Sequence, residues 1–161
     1  MLLALEGIPA IYVHSLLSTP NDHEAVERSG IRRRINRTKL SMDEVEQQLG
    51  DRNSLRSRVF RELTRRIRVR RRQPAFHPNA TQYTLQFGNS IFGFWRESLA
   101  REQNVFALHN VTNRPQRVPL VELNLIATDT WHDLLSDTWF EDLEATIELP
   151  PYGCVWIANH G

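Results

Sequence analysis

Cysteine and lysine are almost absent from this sequence of 161 residues, which contains one Cys and one Lys. The single Cys154 excludes an intramolecular disulfide framework and a zinc site built from several cysteines. The six histidines are widely separated, and no two of them form a His-x-x-x-His pair. We therefore expect neither a metal site nor any other cofactor.

Long apolar runs are also absent. The apolar start Met1–Leu5 has no basic residue before it and is followed at once by Glu6, Gly7 and Pro9. This pattern predicts neither a secretory signal nor a membrane span, so we expect no membrane partner. A lone cysteine fits a reducing compartment, and the expected location is cytoplasmic.

Arginine supplies 19 of the 20 basic residues. Residues 1–75 contain 16 basic and 9 acidic residues, whereas residues 76–161 contain 4 and 10. A guanidinium group suits planar, bidentate contacts with carboxylate or phosphate oxygens. The arginines between residues 56 and 72 are interpreted as a solvated helix face, because the acidic second half would repel a polyanion. We expect no nucleic-acid partner.

The first half predicts one strand, a long loop and two helices. Ala10–Val13 is a short apolar run, typical of a strand buried on both faces of a parallel sheet. A polar loop follows to about Leu40, and Ser41 with Glu44 predicts a capping box for a helix over Met42–Leu49. A second helix, capped by Asn53 or Ser54, is predicted up to Pro74. Its apolar stripe recurs at spacings of three and four residues: Leu55, Val59, Phe60, Leu63 and Ile67.

The second half has an alternating pattern that predicts an antiparallel sheet or sandwich. The candidate strands are Tyr83–Phe87, Ile91–Glu97, Asn104–Asn110, Gln116–Leu120, Thr130–Leu135, Ala145–Leu149 and Cys154–Ala158. Gly88-Asn89 predicts a hairpin turn between the first two. The sequence thus favours an α+β chain with the end of a (β/α)8 barrel at residues 1–75 and an all-β domain at residues 76–161.

Catalytic carboxylates are the missing part of such a barrel site. A barrel needs eight strands and about 250 residues, so we expect this chain to be the tail of a larger enzyme. A retaining glycosidase site requires two carboxyl groups about 5 Å apart. Only Asp22, Glu24 and Glu27 follow the predicted strand, and no second strand supplies a partner. We assign no catalytic residue, and we expect Asp22 to organise the loop by accepting hydrogen bonds from backbone amides or an arginine.

Several stretches resemble a known family over essentially the whole chain. They are GIPAIYVHSLL at residues 7–17, NDHE at 21–24, RRINR at 33–37, QPAFHPNA at 73–80 and LPPYGCVWI at 149–157. The first three resemble the end of a sucrose phosphorylase-type enzyme of the α-amylase superfamily, glycoside hydrolase family 13. The last two resemble the subgroup that includes the glucosylglycerate phosphorylases.

The resemblance implies an eighth barrel strand at Ala10–Val13, closing helices to about residue 73 and a β-sandwich C-terminal domain. It implies a complete enzyme that transfers glucose from an α-glucoside to inorganic phosphate with retention, through a glucosyl intermediate on an aspartate. The catalytic carboxylates of the family lie on earlier strands, so the resemblance places none of them in this chain.

The resemblance also suggests a substrate- or phosphate-binding arginine. The family has Gly-Arg-x-Ile-Asn-Arg in this loop, and the matching arginine is Arg33. Arg32 replaces the family's glycine, which leaves the choice open between Arg33 and its neighbours, including Arg34. Asn21 and Asp22 are further candidates, as residues that shape the loop.

A second interpretation treats the chain as a freestanding carbohydrate-binding or interaction module. In that case the β domain would hold carbohydrate on aromatic residues such as Trp95, Trp131 or Trp139. Without the rest of a barrel, the apolar strand Ala10–Val13 and the apolar stripe of the Leu55–Ile67 helix lack neighbours, so we expect self-association or a complementing barrel chain.

Overall fold

The computed structural model describes residues 1–160 and divides the chain into two compact units. The sheet unit consists of Met1–Pro9 together with the chain from Arg68 onward. The loop unit is Ala10–Ile67. No helix within residues 1–160 is long and apolar enough to cross a membrane.

The α-helices of the described chain are α1 (Val13–Leu16), α2 (His23–Ser29), α3 (Met42–Gly50) and α4 (Leu55–Arg71). Each of them begins in the loop unit. Short 3₁₀ helices lie at Leu2–Ala4, Arg32–Asn36, Pro74–Phe76 and Leu120–Leu123.

Both helices predicted between Met42 and Pro74 are confirmed, with different caps. The backbone N–H of Ser57 donates to Ser54 Oγ at 3.0 Å, which caps α4 as predicted. Ser41 occupies the N-cap position of α3, but its side chain makes no capping hydrogen bond. The capping box predicted for Ser41 and Glu44 is therefore wrong.

The strand predicted at Ala10–Val13 does not form. Residues 10–12 lie in no helix or strand, Val13 begins α1, and Ala10, Tyr12 and Val13 are exposed. A strand needs neighbours that satisfy its backbone N–H and C=O groups. The described residues 10–67 contain no strand that could pair with it.

The described part of the sheet unit contains eight strands: β1 (Thr81–Phe87), β2 (Ile91–Glu97), β3 (Asn104–Asn110), β4 (Gln116–Pro119), β5 (Thr130–Asp133), β6 (Thr138–Phe140), β7 (Thr146–Leu149) and β8 (Cys154–His160). All seven predicted strands are confirmed within a few residues, and β6 was not predicted.

Two antiparallel sheets result from this arrangement. The larger sheet has the strand order β1-β2-β3-β8-β5-β6, and the smaller sheet pairs β4 with β7. Phe87 is opposite Ile91 across the first hairpin. Gly88 lies in that turn with a φ of 69°, a left-handed conformation that glycine adopts without a steric penalty. The turn predicted at Gly88-Asn89 is confirmed.

The main core joins the two sheets. It includes Val118 on β4 and Leu149 on β7, packed with Leu108 on β3 and Ile157 on β8. The smaller sheet has only four paired positions on each strand. It therefore covers part of the larger sheet, and the 3₁₀ helix Leu120–Leu123 adds Leu120 and Leu123 to the same core.

Two buried arginines hold the first residues of the chain in the sheet unit. Arg70 is 7% exposed and donates to the backbone carbonyls of Leu3, Leu5 and Gly7. Arg96 is fully buried and donates to the carbonyls of Ala4, His77 and Ala80 at N···O distances of 3.2, 2.8 and 3.2 Å, respectively. The interpretation of Arg70 as part of a solvated helix face is therefore wrong.

Burial lowers the pKa of both guanidinium groups below the usual value. For Arg96, the positive charge of Arg70 lowers the pKa further. Both guanidinium carbons lie over the ring of Phe76, at 5.4 Å for Arg70 and 6.0 Å for Arg96. Carbonyl oxygens and an aromatic face thus replace the water that the two charges lose.

Candidate functional site

The loop that contains the predicted site residues is built on α2. Asp22 is the N-cap residue, and its Oδ1 accepts a hydrogen bond from the backbone N–H of Ala25 at 2.8 Å. At the other end, Gly30 has a φ of 65°, and its N–H donates to the carbonyl of Val26 at 2.8 Å. The left-handed glycine ends the helix and lets the chain reverse.

The reversed chain forms the 3₁₀ helix Arg32–Asn36 and returns to the start of α2. The backbone N–H of Asp22 donates to the carbonyl of Ile35 at 2.7 Å. The Tyr12 hydroxyl donates to the carbonyl of Asn36 at 2.9 Å. These bonds hold α2 and the 3₁₀ helix side by side. Asp22 thus organises the loop through backbone amides, as the sequence predicts.

An open cleft of about 700 Å³, here the basic cleft, lies in this loop. Five of its side chains are cationic and one is anionic. Its lining consists of Asp22, Ala25, Arg28, Ile31, Arg33, Arg34, Arg37, Thr38 and Lys39.

The cations of the basic cleft are not neutralised by the part of the chain that the structure describes. Within residues 1–160, none of the five cleft cations is in an ion pair; the ion pairs of Glu62 with Arg65 and Arg66 lie on α4, outside the cleft. The one carboxylate in the cleft, on Asp22, accepts a hydrogen bond from the Ala25 amide. Several guanidinium groups around one concave surface produce a positive potential that attracts anions.

The basic cleft brings together some of the predicted residues. Arg33, Arg34 and Asp22 line it, whereas Asn21 does not. Sequence reasoning missed Arg28 and Lys39 as members of the cleft. The turn at Ser29-Gly30 was the sequence signal that could have indicated both residues. A chain reversal at this turn brings the end of α2 opposite the residues that follow it.

No assembled acid/base pair accompanies these cations. Glu24 and Glu27 are exposed on α2 and do not line the basic cleft. Within residues 1–160, no group of three or more His, Cys, Asp or Glu side chains is placed to hold a metal ion. The cleft can therefore bind and orient an anion or a polyol. It does not contain the pair of carboxyl groups that retaining glycosyl transfer requires.

The carboxylate of Glu62 on α4 forms ion pairs with Arg65 and Arg66 elsewhere in the loop unit. Its Oε1 and Oε2 accept bonds from Arg65 at 2.9 Å, and Oε1 accepts one from Arg66 at 2.6 Å. The hydrogen bond from Arg65 is the largest cause that lowers the pKa of Glu62 from 4.5 to about 2, with Arg66 adding to it and partial burial opposing it.

Relatives of this chain are phosphorylases. The sequence is 38% identical over 159 residues to a glucosylglycerate phosphorylase of Allomeiothermus silvanus, which covers 99% of this chain and 26% of that protein. It is 34% identical over 157 residues to the glucosylglycerate phosphorylase of Escherichia coli, again over 26% of that protein. A glucosylglycerol phosphorylase of Marinobacter adhaerens is 35% identical over 92 residues, which cover 56% of this chain and 17% of that protein. The chain spans about a quarter of the length of the glucosylglycerate phosphorylases.

Solved structures share the fold. An α-amylase of Anoxybacillus superposes with a TM-score of 0.69 and 14% identity, over 98% of this chain and 30% of that one. A trehalose-6-phosphate hydrolase of Bacillus licheniformis has the same TM-score and identity, over 99% of this chain and 37% of that one. At this identity the likeness shows the fold alone. No family model matches the chain.

Proposed function

We propose that this chain forms the C-terminal part of a retaining α-glucosyl phosphorylase. It belongs to the sucrose phosphorylase-type enzymes of the α-amylase superfamily and, within them, to the glucosylglycerate phosphorylase-like group. The complete enzyme would transfer glucose from an α-glucoside to inorganic phosphate. The catalytic carboxylates would be supplied from outside this chain, so the chain alone would be inactive. A cytoplasmic location belongs to the same proposal.

The observation that carries the proposal is the basic cleft. In it Arg33 would hold phosphate oxygens or sugar hydroxyls, because its guanidinium is a rigid fork that donates two parallel hydrogen bonds. Arg34 would add a second fork to the same ligand. Asp22 and Asn21 would act through the loop, Asp22 by capping α2.

Phosphate binding tests the proposed role of Arg33. Titration calorimetry with inorganic phosphate at low salt should detect binding to the 161-residue chain. Arg33→Ala should weaken it by about tenfold, the usual effect of losing a charge-assisted hydrogen bond. Arg32→Ala is the matched control, because Arg32 has the same charge but does not line the cleft. Equal losses in both variants would show that only net charge matters and would refute the assignment to Arg33.

Activity measurements test the proposal that the catalytic carboxylates are supplied from outside this chain. The purified chain, incubated with glucosylglycerate or sucrose and phosphate, should release no glucose 1-phosphate above a blank. Co-expression with the remaining part of the Allomeiothermus silvanus phosphorylase should restore release, and Arg33→Ala should lower it again. Release by the isolated chain would overturn the proposal that its catalytic groups lie elsewhere.

Exposed apolar residues support a partner for the loop unit. Val13, Met42 and Leu55 are 52%, 68% and 64% exposed, respectively. Large apolar side chains at the surface favour association. We therefore propose that the unit associates with a second copy or with a complementing barrel chain. A monodisperse monomer in light scattering, with residues 10–67 resistant to protease, would contradict this.

A further inference from the structure

A row of aromatic side chains crosses one face of the larger sheet. Trp95 on β2 stacks on Tyr83 of β1 at a centroid distance of 4.8 Å and on Phe106 of β3 at 6.0 Å. Phe106 in turn contacts Trp131 of β5 at 5.6 Å. Exposure falls along the row, from 47% at Tyr83 to 1% at Trp131. One end of the row is therefore core, and the other end reaches solvent.

A cleft of about 380 Å³ opens beside this row, and we call it the aromatic cleft. The floor of the cleft is lined by Leu85, Trp95, Phe106 and Trp131. Its wall is formed by the chain from Glu122 to Ile126. The cleft exists because the short sheet of β4 and β7 covers only part of the larger sheet. Its volume is within the range of about 300–1,000 Å³ that is usual for small-molecule sites.

The indole N–H groups of the floor are satisfied within the protein. Trp95 Nε1 donates to Asn104 Oδ1 at 2.8 Å, and Trp131 Nε1 donates to the carbonyl of Ile126 at 2.9 Å. The first bond orients the Trp95 ring, and the second ties the wall to the floor. The accessible apolar surface of the floor is that of the half-buried Leu85 and Trp95, because Phe106 and Trp131 are 7% and 1% exposed, and polar recognition is left to other groups.

Three polar side chains supply that recognition. Asn104 also lines the cleft, and with its Oδ1 occupied by Trp95 its amide NH₂ remains a donor. Glu122 and Asn124 are exposed on the wall. The set offers a carboxylate that accepts hydrogen bonds from hydroxyl groups, the NH₂ donor of Asn104, and the Asn124 amide, which can donate and accept.

From these observations we propose that the aromatic cleft binds a neutral hexopyranoside. Such a ring has an apolar C–H surface that fits the aromatic floor and a rim of hydroxyls that fits the carboxylate and amides. The cleft has one carboxylate and no cationic lining residue. It should therefore reject a phosphorylated sugar, in contrast to the basic cleft. This site is separate from the basic cleft and would bind its ligand whether or not the chain is part of a phosphorylase.

Ligand-observed NMR on the 161-residue chain tests the proposal. Saturation of aromatic protein protons should transfer to the ring protons of methyl α-D-glucopyranoside at millimolar concentrations. Glucose 1-phosphate and cyclohexanol serve as matched ligands, the first with an added charge and the second with a single hydroxyl. Both should show much weaker transfer than the glucoside.

Two variants locate the binding. Glu122→Ala and Asn124→Gly each remove one exposed polar group, and glycine suits the left-handed φ of 51° at position 124. Each should weaken binding by about threefold or more, as expected for one hydrogen bond. Glu141→Ala, an exposed acidic residue outside the cleft, should have no effect.

Any of three results would overturn the proposal. The first is no saturation transfer from the unmodified chain to the glucoside. The second is binding that both wall variants leave unchanged. The third is binding of cyclohexanol or glucose 1-phosphate as tight as that of the glucoside.

Discussion

Replacing Arg70 by methionine should lower the free energy of unfolding of the sheet unit by about 2–4 kcal/mol. Arg70 is 7% exposed and donates to three backbone carbonyls, on Leu3, Leu5 and Gly7. Methionine keeps most of the apolar stem but has no donor for any of them.

The magnitude follows from the three bonds and from the cost of burying the charge. A hydrogen bond from a charged donor contributes about 1.5–3 kcal/mol, and an unsatisfied buried acceptor costs about 1–3 kcal/mol. The bond to Leu3 is buried, whereas those to Leu5 and Gly7 are partly buried, so water can replace them in part. The variant also avoids the desolvation of a guanidinium, which offsets some of the loss.

Urea unfolding followed by tryptophan fluorescence measures this change. Arg70 lies over Phe76, whose ring packs edge-on against Trp156 at a centroid distance of 4.9 Å. The signal therefore reports on the same part of the molecule. Arg71→Met is the matched control, because Arg71 is exposed on the same helix. It should change the unfolding free energy by less than about 0.5 kcal/mol. Equal effects of the two variants would refute the role given to Arg70.

Three further predictions follow from local features. Asp22→Ala should cost the loop unit about 1 kcal/mol and lower its helical circular dichroism, because α2 loses its cap. Glu62→Gln should destabilise by about 0.5 kcal/mol at pH 7 and by almost nothing at pH 2 in urea titrations, since Glu62 is partly exposed and solvent screens its ion pairs. A pKa lowered from 4.5 to about 2 gives stability that is present above pH 4.5 and lost as the pH falls toward 2. Gly93→Ala should cost about 1–3 kcal/mol by thermal unfolding, because the new Cβ would lie 2.9 Å from Leu108 Cδ2.

Each of these predictions has its own control. Asp22→Asn keeps an acceptor at the N-cap and should retain most of the stability, so a loss equal to that of alanine would argue against capping. An effect of Glu62→Gln that is as large at pH 2 as at pH 7 would exclude the ion pairs as its cause. Gly50→Ala places a methyl group in open space at the end of α3, and it should stabilise by about 0.5–1 kcal/mol. Similar destabilisation at Gly50 and Gly93 would refute the steric argument.

The strands show where local pattern is sufficient. Ile91–Glu97 and Asn104–Asn110 were predicted with the bounds that the structure has, because β-branched and aromatic residues there are flanked by clear turns. The short strand Thr138–Phe140 was missed, since three residues carry too little periodicity. The opposite error occurred at Ala10–Val13, where an apolar run has no partner strand within residues 10–67.

The two candidate sites also differ in how far they depend on local sequence. The cap at Asp22 and the turn at Gly30 are local, so the sequence indicated a shaped loop. Arg33 was suggested by the family resemblance alone, and its role stays a prediction. Membership of Arg28 and Lys39 in the basic cleft depends on the chain reversal. The aromatic cleft combines the consecutive strands β1, β2 and β3 with β5 and the segment Glu122–Ile126, which come later in the chain. Three tryptophans were suggested as carbohydrate-binding residues, yet only Trp95 and Trp131 line this cleft.

The sequence by itself determined the family resemblance, the helices of residues 42–71 and the antiparallel second half, because these depend on patterns a few residues long. Only the tertiary structure decided which arginines are surface and which are core. Arg70 stands among exposed arginines on α4, and nothing in its neighbours marks it. Its burial comes from Leu3, 67 positions away, and that of Arg96 from Ala4, 92 positions away. Desolvation is set by which distant segments pack around a charge, and a local pattern carries no record of them.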